Sequence, residues 1–63
     1  MAAPVIGDMV DIRWGDDRHD AGIIERVFVG TATLRISGPP EIAIIIAVAQ
    51  LREAGPNRWN LEP

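Results

Sequence analysis

Residues 41–51, with the sequence EIAIIIAVAQL, form the longest apolar run of the chain and decide its fold. Two prolines, Pro39 and Pro40, precede the run. Because proline lacks an N–H group and holds φ at about −65°, regular strand pairing is expected to start only after them. Residues 42–46 are rich in β-branched side chains, which suit a pleated strand. The run is therefore predicted to begin with a β-strand.

Both faces of this predicted strand are uncharged. Strand side chains alternate between faces, so the run divides into two sets. One set is Ile42, Ile44 and Ile46, and the other is Ala43, Ile45 and Ala47. A strand at the surface normally alternates apolar with polar residues. We therefore expect the strand either to be covered on both sides or to use its second face as an interface.

The end of the run is also compatible with a helix, because residues 47–54 (AVAQLREA) have good helical propensity. Periodicity alone does not decide between the two in so short a segment. We predict a strand to about Ala47, followed by one helical or 3₁₀ turn over residues 48–51.

Four other segments are predicted to be strands. They are 10–14, 21–29, 31–36 and 58–62, where apolar residues alternate with polar ones or lie between turn residues. In the second segment the alternation slips by one residue near Glu25, and a β-bulge there would bring both Ile24 and Val27 into the core. The predicted core is Val10, Ile12, Ile24, Val27, Leu34, Ile36, Ile44 and Leu51.

Length and composition indicate one small domain over residues 1–63 with a thin core. The chain has no cysteine and a single histidine, His19, so we expect neither disulfides nor Cys- or His-based metal sites. Small domains often need a disulfide, a metal or a partner subunit, and of these the composition leaves oligomerisation open. No signal peptide or apolar stretch of about 20 residues occurs, so the default expectation is a cytoplasmic protein with no membrane role.

The charge of the chain disfavours nucleic acid as a partner. The formal net charge is −3, and the basic residues are arginines spread along the sequence. Domains that bind nucleic acid usually carry a basic patch or have a pI above about 9. This chain has a pI of about 4.8.

The densest group of chemically capable side chains is the acidic loop of residues 16–20. Its carboxylates lack the spacing of a calcium-binding loop, and a solvated polar loop is the expectation. Nucleophilic catalysis requires a nucleophile beside a base, but the chain has no cysteine or lysine, and Ser37 lies in a turn far from His19 in sequence. We predict no enzyme activity, no catalytic residue, no cofactor and no metal.

The aromatic residues are too few for an aromatic cage of the kind that binds methylated cations. Trp14 and Trp59 are expected to pack in the core and at its rim, and an exposed tryptophan would be a candidate hot spot for a partner. The candidate interface residues are therefore Ala43, Ile45, Ala47, Trp14 and Trp59.

The order of elements resembles an SH3-like small β-barrel of the Tudor or KOW type. Five short strands, a polar loop after the first and a helical turn before the last carry the resemblance, with residues 7–10 (GDMV) leading in and 48–51 (VAQL) leading out. It covers residues 7–62, with residues 1–6 as a lead-in. It implies an all-β, five-stranded barrel with one 3₁₀ turn before the last strand.

The chain is also distantly similar to the plasmid-borne type II dihydrofolate reductases, a tetrameric family on this fold. The similarity lies in length and in the GDMV and VAQL segments. That family lines its shared pore with a Val-Gln-Ile-Tyr segment, whereas residues 43–46 here are AIII. Isoleucines thus stand where the family has the glutamine and tyrosine that hold cofactor and folate. The resemblance supports the fold and possible oligomerisation and counts against reductase activity.

Two functions follow as expectations. The first is a non-catalytic protein-interaction or accessory module that self-associates through the second face of the strand at 42–47. The alternative is a weak nucleic-acid-associated barrel, as the likeness to KOW domains implies.

Overall fold

The structure, a computed structural model, describes residues 3–37 and 40–62. The expected role of Pro39 in delimiting the central strand lies outside the described residues. Pro40 is an exposed bend, and the strand begins two residues later at Ile42.

Within these residues the chain forms strands and one short 3₁₀ turn, which confirms the all-β prediction. The strands are β1 (Met9–Arg13), β2 (His19–Phe28), β3 (Thr31–Ile36), β4 (Ile42–Ala47), β5 (Leu51–Gly55) and β6 (Arg58–Leu61). The 3₁₀ turn, Val48–Gln50, connects β4 to β5. The turn predicted after Ala47 is therefore present, although two strands follow it.

The prediction of five strands is wrong, because the described residues form six. The strand that the sequence did not reveal is β5, whose charged and exposed middle residues show no apolar alternation; Leu51 is its buried anchor. A turn at Pro56–Asn57 then reverses the chain into β6. Asn57 has a φ of 58°, a left-handed conformation that asparagine tolerates better than most residues.

The strands form an open mixed sheet, in the order β4-β3-β2-β1-β6-β5, and not the predicted closed barrel. All neighbouring pairs are antiparallel except β1 and β6, which are parallel. The 3₁₀ turn after β4 redirects the chain, and β5 pairs with β6 and not with β4. The two strands on either side of that turn therefore occupy opposite edges of the sheet.

One hydrophobic core collects residues from all six strands, so the sheet curls around it. The core consists of Val10, Ile12, Ile24, Ala32, Leu34, Ile36, Ile46, Leu51, Trp59 and Leu61. Two core predictions need correction: Val27 is 38% exposed, and Ile44 is only partly buried. The predicted bulge is present, because the β2–β3 register shifts between Ile24 and Arg26. It places Val27 opposite the buried Ala32, but so near the end of the hairpin that little covers it.

Candidate interaction surface

β4 is one of the two edge strands of the sheet. It pairs with β3 on one side, and no other strand of the described chain pairs with its second side. An unpaired edge presents free N–H and C=O groups that can accept another strand.

The hydrogen-bond pattern shows which residues of β4 present those groups. Just beyond the end of β4, the Val48 N–H donates to the Gly30 carbonyl over 3.0 Å. In an antiparallel ladder, every second residue of a strand bonds to the same neighbour. The β3–β4 register is unbroken, so Ile46, Ile44 and Ile42 bond toward β3. The N–H and C=O groups of the alternate residues, Ala43, Ile45 and Ala47, therefore face away from β3.

The same three residues also form an exposed apolar strip. Ile42, Ile44 and Ile46 lie opposite Ile36, Leu34 and Ala32, which belong to the core. The side chains of Ala43, Ile45 and Ala47 consequently point to the outer face, where all three are exposed, and Ile45 is 74% exposed. We call these three residues the outer strip. The structure thus places the three predicted interface residues of β4 together.

The opposite edge of the sheet is β5, which differs from β4 in its side chains and in the regularity of its pairing. It carries Arg52 and Glu53, its register with β6 shifts between Glu53 and Gly55, and Pro56 follows it directly. Charges, bulges and proline are features by which proteins prevent unwanted strand pairing. β4 itself contains only isoleucine and alanine and pairs with β3 in an unbroken register, and its neighbouring proline and charge, Pro40 and Glu41, lie before its first residue.

A cluster of charges borders the outer strip on one side. Arg35 lies opposite Ala43 and bridges Glu25 and Glu41 with its guanidinium, at 2.7 Å between Nη2 and the Oε1 of Glu25. These hydrogen bonds raise the pKa of Arg35, and the bond from Arg35 holds the pKa of the Glu25 carboxyl below its ordinary value of 4.5. Arg35 is thus engaged by carboxylates on this surface.

The two tryptophans occupy different environments. Trp59 is 6% exposed, and its Nε1 donates to Oδ2 of the buried Asp8 over 2.9 Å, so it offers little surface to a partner. Trp14 is 41% exposed at the end of β1, where its Nε1 donates to Asp20. Neither tryptophan belongs to the outer strip.

The acidic loop is held by contacts within its own hairpin. Asp16 lies 3.6 Å from Arg13, and Asp20 accepts the Trp14 hydrogen bond and lies 3.8 Å from Arg18. Among residues 3–37 and 40–62, no group of three His, Asp or Glu side chains is arranged to hold a metal ion.

The sequence did not single out a second group of exposed apolar residues on the sheet. Met9 and Ile23 face each other across β1 and β2 and continue in one row to Arg35 and Ala43. At the tip of the β2–β3 hairpin, Phe28 and Val29 are exposed as well. The pairing of Ile23 with Met9 depends on the β1–β2 register, which the sequence does not contain.

No helix among the described residues is long and apolar enough to span a membrane. Comparisons with protein-family models, with curated proteins and with solved structures find no match to this chain.

Proposed function

We propose that this domain is a non-catalytic protein-interaction module that self-associates, and that β4 provides the contact. The observation that carries the proposal is the coincidence, in one edge strand, of outward-facing backbone groups and an exposed apolar strip. Addition of a strand to such an edge is a recurring mode of protein recognition, in which main-chain hydrogen bonds supply affinity and alternate side chains supply specificity.

The energetics favour covering this strand. Full burial of one isoleucine side chain is worth about 1.5–3 kcal/mol, and Ile45 is 74% exposed. Domains as a whole are stable by only about 5–15 kcal/mol. Each additional hydrogen bond between main chains adds about 0.5–1.5 kcal/mol net. Contact through β4 therefore recovers free energy that is significant for a 63-residue chain.

The arginine contacts weigh against the alternative, a nucleic-acid-associated domain. Arg13, Arg18, Arg35 and Arg58 each lie within 4.0 Å of a carboxylate oxygen. A phosphate backbone would have to compete with those carboxylates, against a net charge of −3.

Sedimentation over a wide range of concentration tests the proposal. The wild type is expected to show a mass above that of the 6.9 kDa chain, and Ile45→Asp is expected to reduce it toward that value. Because Ile45 is outside the core, the variant should keep its fold, which far-ultraviolet dichroism checks.

Ile23→Asp is the matched control, since it introduces the same charge at another exposed isoleucine on a strand that is paired on both sides. It should associate as the wild type does. A wild type that remains monomeric at every concentration would contradict the proposal. A mass that falls equally in Ile45→Asp and Ile23→Asp would contradict it as well.

The alternative has its own test. Binding to phosphates weakens steeply as salt rises. Short DNA and RNA duplexes titrated at low salt should show no binding, and tight binding that salt abolishes would favour the nucleic-acid function instead.

A further inference from the structure

We propose that the partner strand is β4 of a second copy of this chain, paired antiparallel about a two-fold axis that passes through Ile45. This inference rests on the proposed function and adds its partner and its register. The two six-stranded sheets would then continue into one sheet across the axis.

The backbone of β4 restricts where the axis lies. In a symmetric antiparallel pair, the residue at the axis faces its own copy, and the residues whose N–H and C=O groups face outward make the hydrogen bonds between the copies. The outward-facing groups are those of the outer strip, so the favoured axis pairs residues of the two outer strips with one another. An axis at Ile44 would place Ala47 opposite the charged Glu41 of the second copy. An axis at Ile46 would place Ala43 opposite Ala49, which lies in the 3₁₀ turn. The remaining candidates are Ala43, Ile45 and Ala47.

The neighbouring segments exclude two of these three. An axis at Ala47 would require Ala49 and Leu51 to extend the pairing, but the 3₁₀ turn Val48–Gln50 interrupts the strand there. An axis at Ala43 would place the charged Glu41 of one copy opposite Ile45 of the other. It would also leave Ala47 of each copy with no residue of the other copy's β4 opposite it. An axis at Ile45 avoids both problems.

With the axis at Ile45, the outer strip is self-complementary. Ile45 faces Ile45 of the second copy, and Ala43 faces Ala47 of the second copy on both sides of the axis. A two-fold axis perpendicular to the sheet keeps side chains on their own face, so the two outer strips become one uncharged band. The small alanines leave room for the two isoleucines to contact each other.

The opposite edge provides a poorer partner. Pairing of β4 with β5 of another copy would be heterologous and would generate open chains unless it closed into a ring. It would also bring Arg52, Glu53 and the bulge of β5 against the uncharged β4. The symmetric pair has neither disadvantage.

Cysteine cross-linking tests the register, because the chain has no cysteine of its own. Facing residues in a hydrogen-bonded antiparallel pair have Cα atoms about 5.5 Å apart, within the range of about 4.4–6.8 Å that a disulfide spans. Ile45→Cys is therefore expected to form a disulfide-linked dimer under mild oxidation. Ala43→Cys mixed with Ala47→Cys is expected to cross-link as well.

Ala43→Cys alone and Ala47→Cys alone are expected not to cross-link. In the proposed register, the same residue in the two copies is offset by four residues, or about 13 Å along the strand. Ala54→Cys, an exposed alanine on β5, is the matched control and should not cross-link with itself or with Ile45→Cys. Sedimentation of each reduced variant shows whether it still associates.

The outcomes separate this inference from the proposed function. Three outcomes would overturn the register and leave self-association standing. The first is cross-linking of Ala43→Cys with itself, and the second is cross-linking of Ile45→Cys with Ala54→Cys. The third is that no variant cross-links although the reduced variants still associate. Failure of the wild type to associate in sedimentation would remove the proposed function itself, and this inference with it.

Discussion

At the scale of single residues, Asp8 joins the beginning of the described chain to its end. Its buried Oδ2 accepts hydrogen bonds from the Trp59 indole over 2.9 Å and from the Val5 N–H over 3.1 Å. Trp59 lies next to Val10 across the parallel β1–β6 pair. The Asp8 side chain therefore fixes the approach to β1 against the last strand.

Asp8→Ala removes the acceptor and leaves the Trp59 N–H buried without a partner. The expected cost is about 1–3 kcal/mol of unfolding free energy, measured by denaturant titration. Trp59→Phe should reduce the unfolding free energy by less in the Asp8→Ala variant than in the wild type, because the variant has already lost the hydrogen bond that the two residues share. Additive effects of the two changes would show that the bond contributes nothing.

Glu25 and Arg35 provide a prediction for pH. Because the hydrogen bond from Arg35 lowers the pKa of Glu25, the pair adds stability at pH above about 4.5 and loses it as the pH falls through the lowered pKa. In Arg35→Gln, the pKa of Glu25 is expected to rise toward its ordinary value, as followed by NMR titration of the side-chain carboxyl. An identical Glu25 pKa in the two proteins would contradict this.

At the scale of elements, the β2–β3 hairpin depends on Gly30, which closes the turn with a φ of 82°. A Cβ atom at Gly30 would meet no atom within 4 Å, so the backbone conformation is the constraint. Gly30→Ala is expected to destabilise the domain by about 1–2 kcal/mol in denaturant titration, since L-residues disfavour this region.

Gly15→Ala is the control for that prediction. Gly15 also has open space around it but does not adopt a positive φ. Its substitution should be neutral or slightly stabilising, because alanine reduces the freedom of the unfolded chain. Equal destabilisation at Gly15 and Gly30 would show that the turn conformation is not the cause.

The contrast between β4 and β5 explains what the sequence could and could not predict. β4 was predictable because it is rich in isoleucine, which is β-branched, and alternation correctly divided its two faces. β5 was missed because Leu51 is its buried anchor while Arg52 and Glu53 are exposed, so no apolar period marks it. The prediction of Val27 in the core is wrong because strand alternation indicates which face of the sheet a side chain lies on. It does not indicate how much of the rest of the protein covers that side chain.

At the scale of the whole molecule, the order of strands determines which surface is available. The sequence predicted an exposed strip at Ala43, Ile45 and Ala47, but not that β4 is an edge, because that depends on β5 pairing with β6. The sequence already made the strip a candidate contact, and the free backbone groups on the same residues add strand pairing as the way in which that contact would form. The six-residue edge is small beside standard interfaces of about 1,600 Å², so we expect association that depends on concentration.

Amide hydrogen exchange, measured residue by residue at low and high protein concentration, tests the central claim most directly. The Ile44 N–H bonds to β3 within one chain, so it should be protected at both concentrations. The N–H groups of Ala43 and Ile45 face the open edge, and they should exchange fast when the protein is dilute and slow when it is concentrated. Fast exchange of Ala43 and Ile45 at every concentration would contradict the account.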